Sequence, residues 1–254
     1  MARLDGQPAE SRAEPLLALR GVGKQYPSGR NVVSALTDVT LTVAAGEFVS
    51  IVGPSGSGKS TLMNILGLLD RPTSGAYQLA GRPMERMGAR QLAAERNERI
   101  GFVFQSFYLL PHLRLVDNVA APLLYFGMAP GRRVERAMAA LRLVGIDHLA
   151  QRRPTQVSGG QQQRAAIARA LVTHPRLILA DEPTGNLDTR TSREIMDVFR
   201  TLNTEGLTIV QVTHEPGIAR YGHRIVAMRD GRVESVASQA EWQSTLDEKD
   251  GWSV

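Results

Sequence analysis

The chain has 254 residues, 43% hydrophobic and 22% charged, with no cysteine, a balance that suits one large folded domain or two coupled lobes and excludes disulfides and thiolate metal centres. A formal charge of +5 arises from 30 Lys and Arg against 25 Asp and Glu. With no dense basic run, scattered solvated charge accounts for it and no nucleic-acid partner is expected.

From the N-terminus, Met1 to Pro15 is polar, lacks the apolar centre of a signal peptide and reads as a disordered tail. No later stretch approaches the roughly 18 apolar residues of a membrane span, so a cytoplasmic protein is expected. Leu16 to Leu19 begins a strand pattern that leads to Lys24, Gln25 and Tyr26 before the turn Pro27-Ser28-Gly29. At that strand end Tyr26 is either ordinary surface packing or an aromatic face for adenine. Asp38 to Val43 alternates polar and apolar residues as a half-buried strand does, which suggests a small antiparallel β-lobe.

Next comes Gly53-Pro54-Ser55-Gly56-Ser57-Gly58-Lys59-Ser60-Thr61, between the strand-like Glu47 to Val52 and the apolar helical run Leu62 to Leu66. This is G-x-x-x-x-G-K-[ST] in its strand, loop and helix setting. Its glycines let successive backbone N–H groups turn toward phosphate oxygens at a helix N-terminus. Lys59 can reach the β- and γ-phosphates and the Ser60 hydroxyl can sit on Mg²⁺, so the chain is expected to bind a nucleoside triphosphate.

Arg71 to Gly75 is a turn, Ala76 to Leu79 a short strand and Arg90 to Arg99 a charged helix. Ile100 to Phe104 is strand-like, and Gln105 follows where a buried strand emerges, either as a simple terminator or as a group for Mg²⁺ or the attacking water. Residues 117–150 are helical, with breaks near Pro122 and between Gly127 and Gly131. They interrupt the strand–helix alternation, so 88–165 reads as a helical lobe inserted into an α/β core. Ser158 and Gln161 have the spacing of a capping box, and Gly159 and Gly160 leave N–H groups open there, as a second anion site without a lysine.

Leu177 to Glu182 reads as a buried strand ending in two carboxylates, which are costly without a positive partner. Mg²⁺ is that partner for Asp181, while Glu182 is placed to act on an attacking water. Pro183 to Asp188 is a turn, with Asp188 as a helix-flanking acid. Thr191 and Glu194 suggest a capping box that opens a helix to about Asn203. Leu207 to Val212 is the next strand, and His214 after it is either packed or in contact with a γ-phosphate. Ile225 to Val233 reads as a hairpin turning on Asp230-Gly231, and 236–254 as a polar tail too short for another domain.

The phosphate loop, Ser158-Gly159-Gly160-Gln161 shortly before Asp181-Glu182, and the order of Tyr26, Gln105, Asp188 and His214 together resemble the ATP-binding cassette family over about residues 16–235. The resemblance implies an α/β fold: a P-loop NTPase core with an antiparallel β-lobe and an inserted helical subdomain. It implies adenine stacking for Tyr26, a Mg²⁺-linked glutamine in Gln105, and a signature motif at 157–161, where Val157 replaces the common leucine. It further implies a Mg²⁺-associated Asp181, a catalytic Glu182, an Asp188 near the nucleotide and a switch histidine in His214. Two copies are implied to close head-to-tail on ATP, so that Ser158 to Gln161 of one meets the phosphates held by the other.

Within the family, Phe104 to Pro111 and Leu179 to Asp188 look like the macrolide-efflux and lipoprotein-release type. That implies an ATPase subunit peripheral on the inner face of the cell membrane, powering a separate permease. An importer subunit is the alternative. A ribosome- or DNA-acting cassette fits less well, since one phosphate loop is present and no long heptad run separates it from Ser158. A small-molecule kinase leaves Ser158 to Gln161 and Glu182 unexplained.

Overall fold

A computed structural model describes residues 15–29 and 31–248. Apart from Pro15, the N-terminal tail expected over 1–15 therefore lies outside the described residues, as does the end of the chain from 249. In chain order the elements are β1 (Leu17–Ser28), β2 (Asn31–Val43), β3 (Phe48–Val52), α1 (Lys59–Leu66), β4 (Ser74–Leu79), β5 (Arg82–Pro83), α2 (Ala89–Arg99) and β6 (Ile100–Phe104). There follow α3 (Leu115–Ala120), α4 (Pro130–Leu143), α5 (Gly159–Leu171), β7 (Leu177–Asp181), α6 (Thr189–Thr204), β8 (Thr208–Val212), α7 (Pro216–Ala219), β9 (Arg224–Arg229), β10 (Arg232–Ser238) and α8 (Gln239–Glu248).

Two sheets organise the described chain. The first has the order β2-β1-β4-β5 and is antiparallel throughout. In β2 the alternation is realised residue by residue: Val39, Leu41 and Val43 are buried while Asp38, Thr40 and Thr42 face solvent. The second sheet has the order β10-β9-β3-β8-β7-β6. Its five strands β9, β3, β8, β7 and β6 are parallel neighbours, and only β10 runs antiparallel, on β9. Every residue of β3 and β8 is buried, as expected for central parallel strands covered on both faces, the polar Ser50, Thr208 and Gln211 included. The α/β class expected from the sequence is the one observed.

One apolar core joins the antiparallel sheet to α1 through Leu19, Val39, Leu62, Ile65 and Leu66. A second lies under α3, α4, α5 and α6 and includes Leu115, Leu141, Ile167, Ile195 and Phe199, and a small third gathers Val52, Ala219 and Ile225. Tyr77 on β4 fastens the first core to the phosphate-loop helix: it is 1% exposed and its hydroxyl donates to the Leu66 carbonyl at 2.7 Å. Tyr77→Phe leaves that buried carbonyl without its partner, and is expected to cost about 1–3 kcal/mol in urea unfolding. An unchanged midpoint and slope would show that the bond contributes nothing.

The helical run 117–150 is split as its Pro and Gly breaks suggest, with a 3₁₀ stretch at Ala121–Phe126 and Gly127 in a left-handed turn before α4. The hairpin at Asp230-Gly231 is present, both residues having positive φ as a type I′ turn requires. Beyond 235 the structure differs from a plain polar tail. β10 continues to Ser238, and α8 starts there on a capping box in which Ser238 N–H donates to Glu241 Oε2 at 2.7 Å and Glu241 N–H to Ser238 Oγ at 3.3 Å.

Candidate active site

Parallel strands end on the same side of a sheet, so the residues that follow β3, β6, β7 and β8 converge at one edge. Register makes this specific: Phe104, Asp181 and Val212 are directly paired across β6, β7 and β8, and Ile51 on β3 pairs with Val212. Gly53, Gln105, Glu182 and Thr213-His214 thus leave four neighbouring strands at the same level.

The loop after β3 enters α1 through Gly58, whose φ of 97° is left-handed and whose missing Cβ would lie 2.7 Å from the Ala35 carbonyl. Only glycine satisfies both constraints. Lys59 is the first residue of α1, and its ammonium donates to the Gly53 and Pro54 carbonyls at 2.7 and 2.8 Å. Burial lowers the Lys59 pKa, while the charges of Glu182 and Asp181 oppose that shift. Ser60 is exposed in the first turn of α1, which carries no acidic residue.

The two acids do not share one strand. β7 ends at Asp181, and Glu182 steps off it with a φ of 48°, so the expectation of a strand through Glu182 is corrected by one residue. The step sends the two side chains on different paths without relying on strand alternation. Burial raises the Asp181 pKa, the Glu182 charge adds to this, and Lys59 opposes it. Glu182 N–H donates to the Val212 carbonyl at 3.0 Å, and its Oε2 lies 2.6 Å from His214 Nδ1. The Glu182 side chain is 19% exposed and that of His214 64%, so the histidine sits on the solvent side of the acid.

Gln105 is half-buried immediately after β6 and is held by the 183–188 turn. Its Nε2 donates to Asn186 Oδ1 at 3.2 Å, while Asn186 Nδ2 donates to the Gln105 carbonyl at 3.0 Å. A Cβ on Gly185 would come within 2.7 Å of Gln105 Nε2, so the turn is shaped around this side chain. A second glutamine, Gln163 on α5, is fully buried; its Nε2 donates to the Pro183 carbonyl at 2.5 Å and to the Phe104 carbonyl at 3.4 Å. It joins α5 to the residues flanking both Gln105 and Glu182.

Ser158 caps α5 in the box expected: Gln161 N–H donates to Ser158 Oγ at 3.3 Å and Ser158 N–H to Gln161 Oε1 at 2.9 Å. The box assigned to Thr191 and Glu194 is not the start of α6. That helix begins at Thr189 with Asp188 as N-cap, its carboxylate accepting from the N–H groups of Arg190 and Thr191 at 3.1 and 3.0 Å and from the Thr191 hydroxyl at 2.6 Å. A carboxylate caps at least as well as a hydroxyl and carries charge toward the helix dipole, so the acid wins the position. The Thr191 hydroxyl, followed by the two N–H donors, holds the Asp188 pKa down. Tyr26 lies within β1 opposite Val33, is 36% exposed, and donates its hydroxyl to Asp70 Oδ2 at 2.7 Å.

Ser60, Asp181 and Gln105 each carry a side-chain oxygen, the donor type that Mg²⁺ takes, and so make a candidate set. Among the described residues no three His, Cys, Asp or Glu side chains gather as a protein cage. Such a set fits a cation shared with phosphate oxygens. Asn186, Gln163 and Asp70 had no signal in the sequence, because each acts on a residue far away in the chain.

The family model described as ABC transporter matches residues 36–185. The chain is 52% identical over 223 residues to the uncharacterized ABC transporter ATP-binding protein YknY of Bacillus subtilis, covering 88% of this chain and 97% of that protein. It is also 52% identical over 219 residues to the macrolide export ATP-binding/permease protein MacB 1/2 of Paracoccus denitrificans, covering 86% of this chain but 33% of that one. The chain thus spans about a third of the length of the MacB proteins it matches. Among solved structures, the dimeric ATP-binding cassette MJ0796 in a post-hydrolysis state with ADP and Pi aligns with a TM-score of 0.81 at 43% identity, over 88% of this chain and 98% of that one.

Proposed function

The chain belongs to the ABC transporter family, and we propose that it is the ATP-binding and ATP-hydrolysing subunit that powers a membrane permease of the export type. Four strand ends carry this proposal: they bring Lys59, Gln105, Asp181, Glu182 and His214 to one edge of the sheet. The loop Gly53 to Thr61 holds the triphosphate, and Tyr26 takes the adenine on its ring. Ser60, Asp181 and Gln105 hold Mg²⁺, which when bound neutralises charge on the β- and γ-phosphates.

Glu182 accepts the proton of the attacking water, a role open to a carboxylate that is only partly exposed. His214 steadies that carboxylate at 2.6 Å and faces the γ-phosphate. A second copy, packed head-to-tail, supplies Ser158 to Gln161 against the same phosphate, and Asp188 lies near that junction. ATP prefers the closed pair, and hydrolysis removes the preference.

The described residues contain no helix long and apolar enough to cross a membrane, so the translocating part of such a machine lies outside them. The permease docks in an open groove of about 1160 Å³ lined by Leu69, Phe102, Tyr108, Tyr125, Phe126 and Arg169. Tyr125 and Tyr108 there are 83% and 65% exposed, an apolar surface that a permease helix would cover. The groove abuts the Gln105 loop, since Arg169 in its wall donates to the Phe107 and Tyr108 carbonyls. Bound through it, the chain sits on the cytoplasmic face of the membrane.

Phosphate release from Mg-ATP by the purified chain tests the first half of this proposal. The second half is tested by recovering the chain from host membranes with ATP present. An integral membrane protein is expected to co-purify, and Tyr125→Asp is expected to reduce its recovery about tenfold while leaving phosphate release by the isolated chain within about twofold. Ribosomes or DNA-bound proteins in place of a membrane protein would overturn the transport role and leave the ATPase standing.

A further inference from the structure

Tyr26 is the centre of a cluster that joins the antiparallel sheet to the segment just after α1. Its hydroxyl donates to Asp70 Oδ2 at 2.7 Å. The other oxygen of Asp70 accepts from Lys24 Nζ at 2.6 Å and from the Arg71 N–H at 2.7 Å. Lys24 also donates to the Arg71 carbonyl at 2.8 Å, and its ammonium lies over the Tyr26 ring, 4.8 Å from the centroid. The Lys24 side chain is only 12% exposed and that of Asp70 30%, so the pair is sheltered and not a loose surface contact.

These contacts constrain the ring in two ways. The bond to Asp70 fixes the phenol oxygen and so restrains rotation about Cα–Cβ; that oxygen lies on the Cβ–Cγ axis, so the plane of the ring is set by what covers its face. The ammonium occupies one face as a cation–π partner, leaving the opposite face for a flat ligand. Asp70 is also a ruler. It follows α1, the helix that opens on Lys59, so anchoring the ring to Asp70 sets its distance from the phosphate loop. The Thr61 side chain approaches the same phenol from the first turn of α1.

We infer that Asp70 and Lys24 are positioning residues that hold Tyr26 as a one-faced platform at a set distance from the phosphate loop, selecting a purine nucleotide over triphosphate alone. This rests on the proposed role of Tyr26 in stacking adenine. The pair never touches the nucleotide: Asp70 acts through the phenol and Lys24 through the covered face.

Titration calorimetry with Mg-ATP and, separately, with inorganic triphosphate tests the inference. Asp70→Ala is expected to raise the Kd for ATP about tenfold, the size of a base–aromatic stack, and to leave the Kd for triphosphate within about twofold. In a Tyr26→Ala background the same substitution is expected to change ATP affinity less than about twofold, because the group it positions is gone. Tyr26→Phe keeps the Lys24–Asp70 pair intact and removes only the phenol bond, so it serves if Asp70→Ala fails to fold; a several-fold loss for ATP alone is expected. Parallel weakening of ATP and triphosphate would mean that Asp70 merely supports α1, and would overturn the inference. Loss of ATP affinity in Tyr26→Ala but not in Asp70→Ala or Tyr26→Phe would overturn it while the stacking role survives. Unchanged affinity in Tyr26→Ala would remove both together.

Discussion

Glu182→Gln is expected to lower ATP turnover by about 10²–10⁴-fold while nucleotide affinity stays within about twofold. The substitution keeps the size of the side chain and its position beside His214 but removes its capacity to accept a proton. The Lys59 ammonium keeps Asp181 as a nearby carboxylate, so the phosphate loop retains most of its electrostatic setting. Because ATP persists in this variant, the closed pair of cassettes should accumulate, visible as an ATP-dependent dimer by light scattering. Turnover at the wild-type rate would remove Glu182 from the chemistry and leave its contact with His214 as a packing detail.

Lys59→Ala is expected to weaken Mg-ATP binding by about 10–100-fold, the scale of losing a charge-assisted bond to phosphate. Its ammonium touches the loop carbonyls of Gly53 and Pro54 and also shares a field with Asp181 and Glu182. Removing it lowers affinity and also raises the cost of two carboxylates at a partly buried strand end. Circular dichroism and a thermal melt separate loss of binding from loss of fold. A folded variant with unchanged affinity would sink the assignment of Gly53 to Thr61 as the phosphate site.

The parts of this site that rest on short-range patterns were legible in the sequence. The loop between β3 and α1 could be read because its spacing, glycines and flanking runs all lie within about twenty residues. Ser158 and Gln161 could be read because a capping box is a three-residue relation, and the hairpin at Asp230-Gly231 because its turn needs two positive φ angles. The same local logic went astray at α6. Thr191 and Glu194 have the right spacing, but Asp188, read only as a helix-flanking acid, is the cap itself, and Thr191 is one of the residues it caps.

Long-range pairings were out of reach. Asp70 meets Tyr26 across 44 positions and Asn186 meets Gln105 across 81, joined only by strand order and register. Gln163 looked like one polar residue among several on a helix, yet the fold turns it inward to two backbone carbonyls. α8 is a different case: Ser238 and Glu241 carry the same box as Ser158 and Gln161, but a polar stretch without an apolar stripe drew no helix there.

Glu182 holds a backbone angle that a non-glycine residue adopts at a cost of roughly 1–2 kcal/mol, and Asn or Gly would occupy it more easily. On the role proposed for Glu182, folding and turnover therefore favour different residues at this one position. A library screened for heat resistance would drift toward the relaxed residues and fill with silent ATP binders. A library screened for phosphate release would return the acid and keep the strain. The step off β7 is a place where a protein engineer cannot satisfy both selections with one side chain.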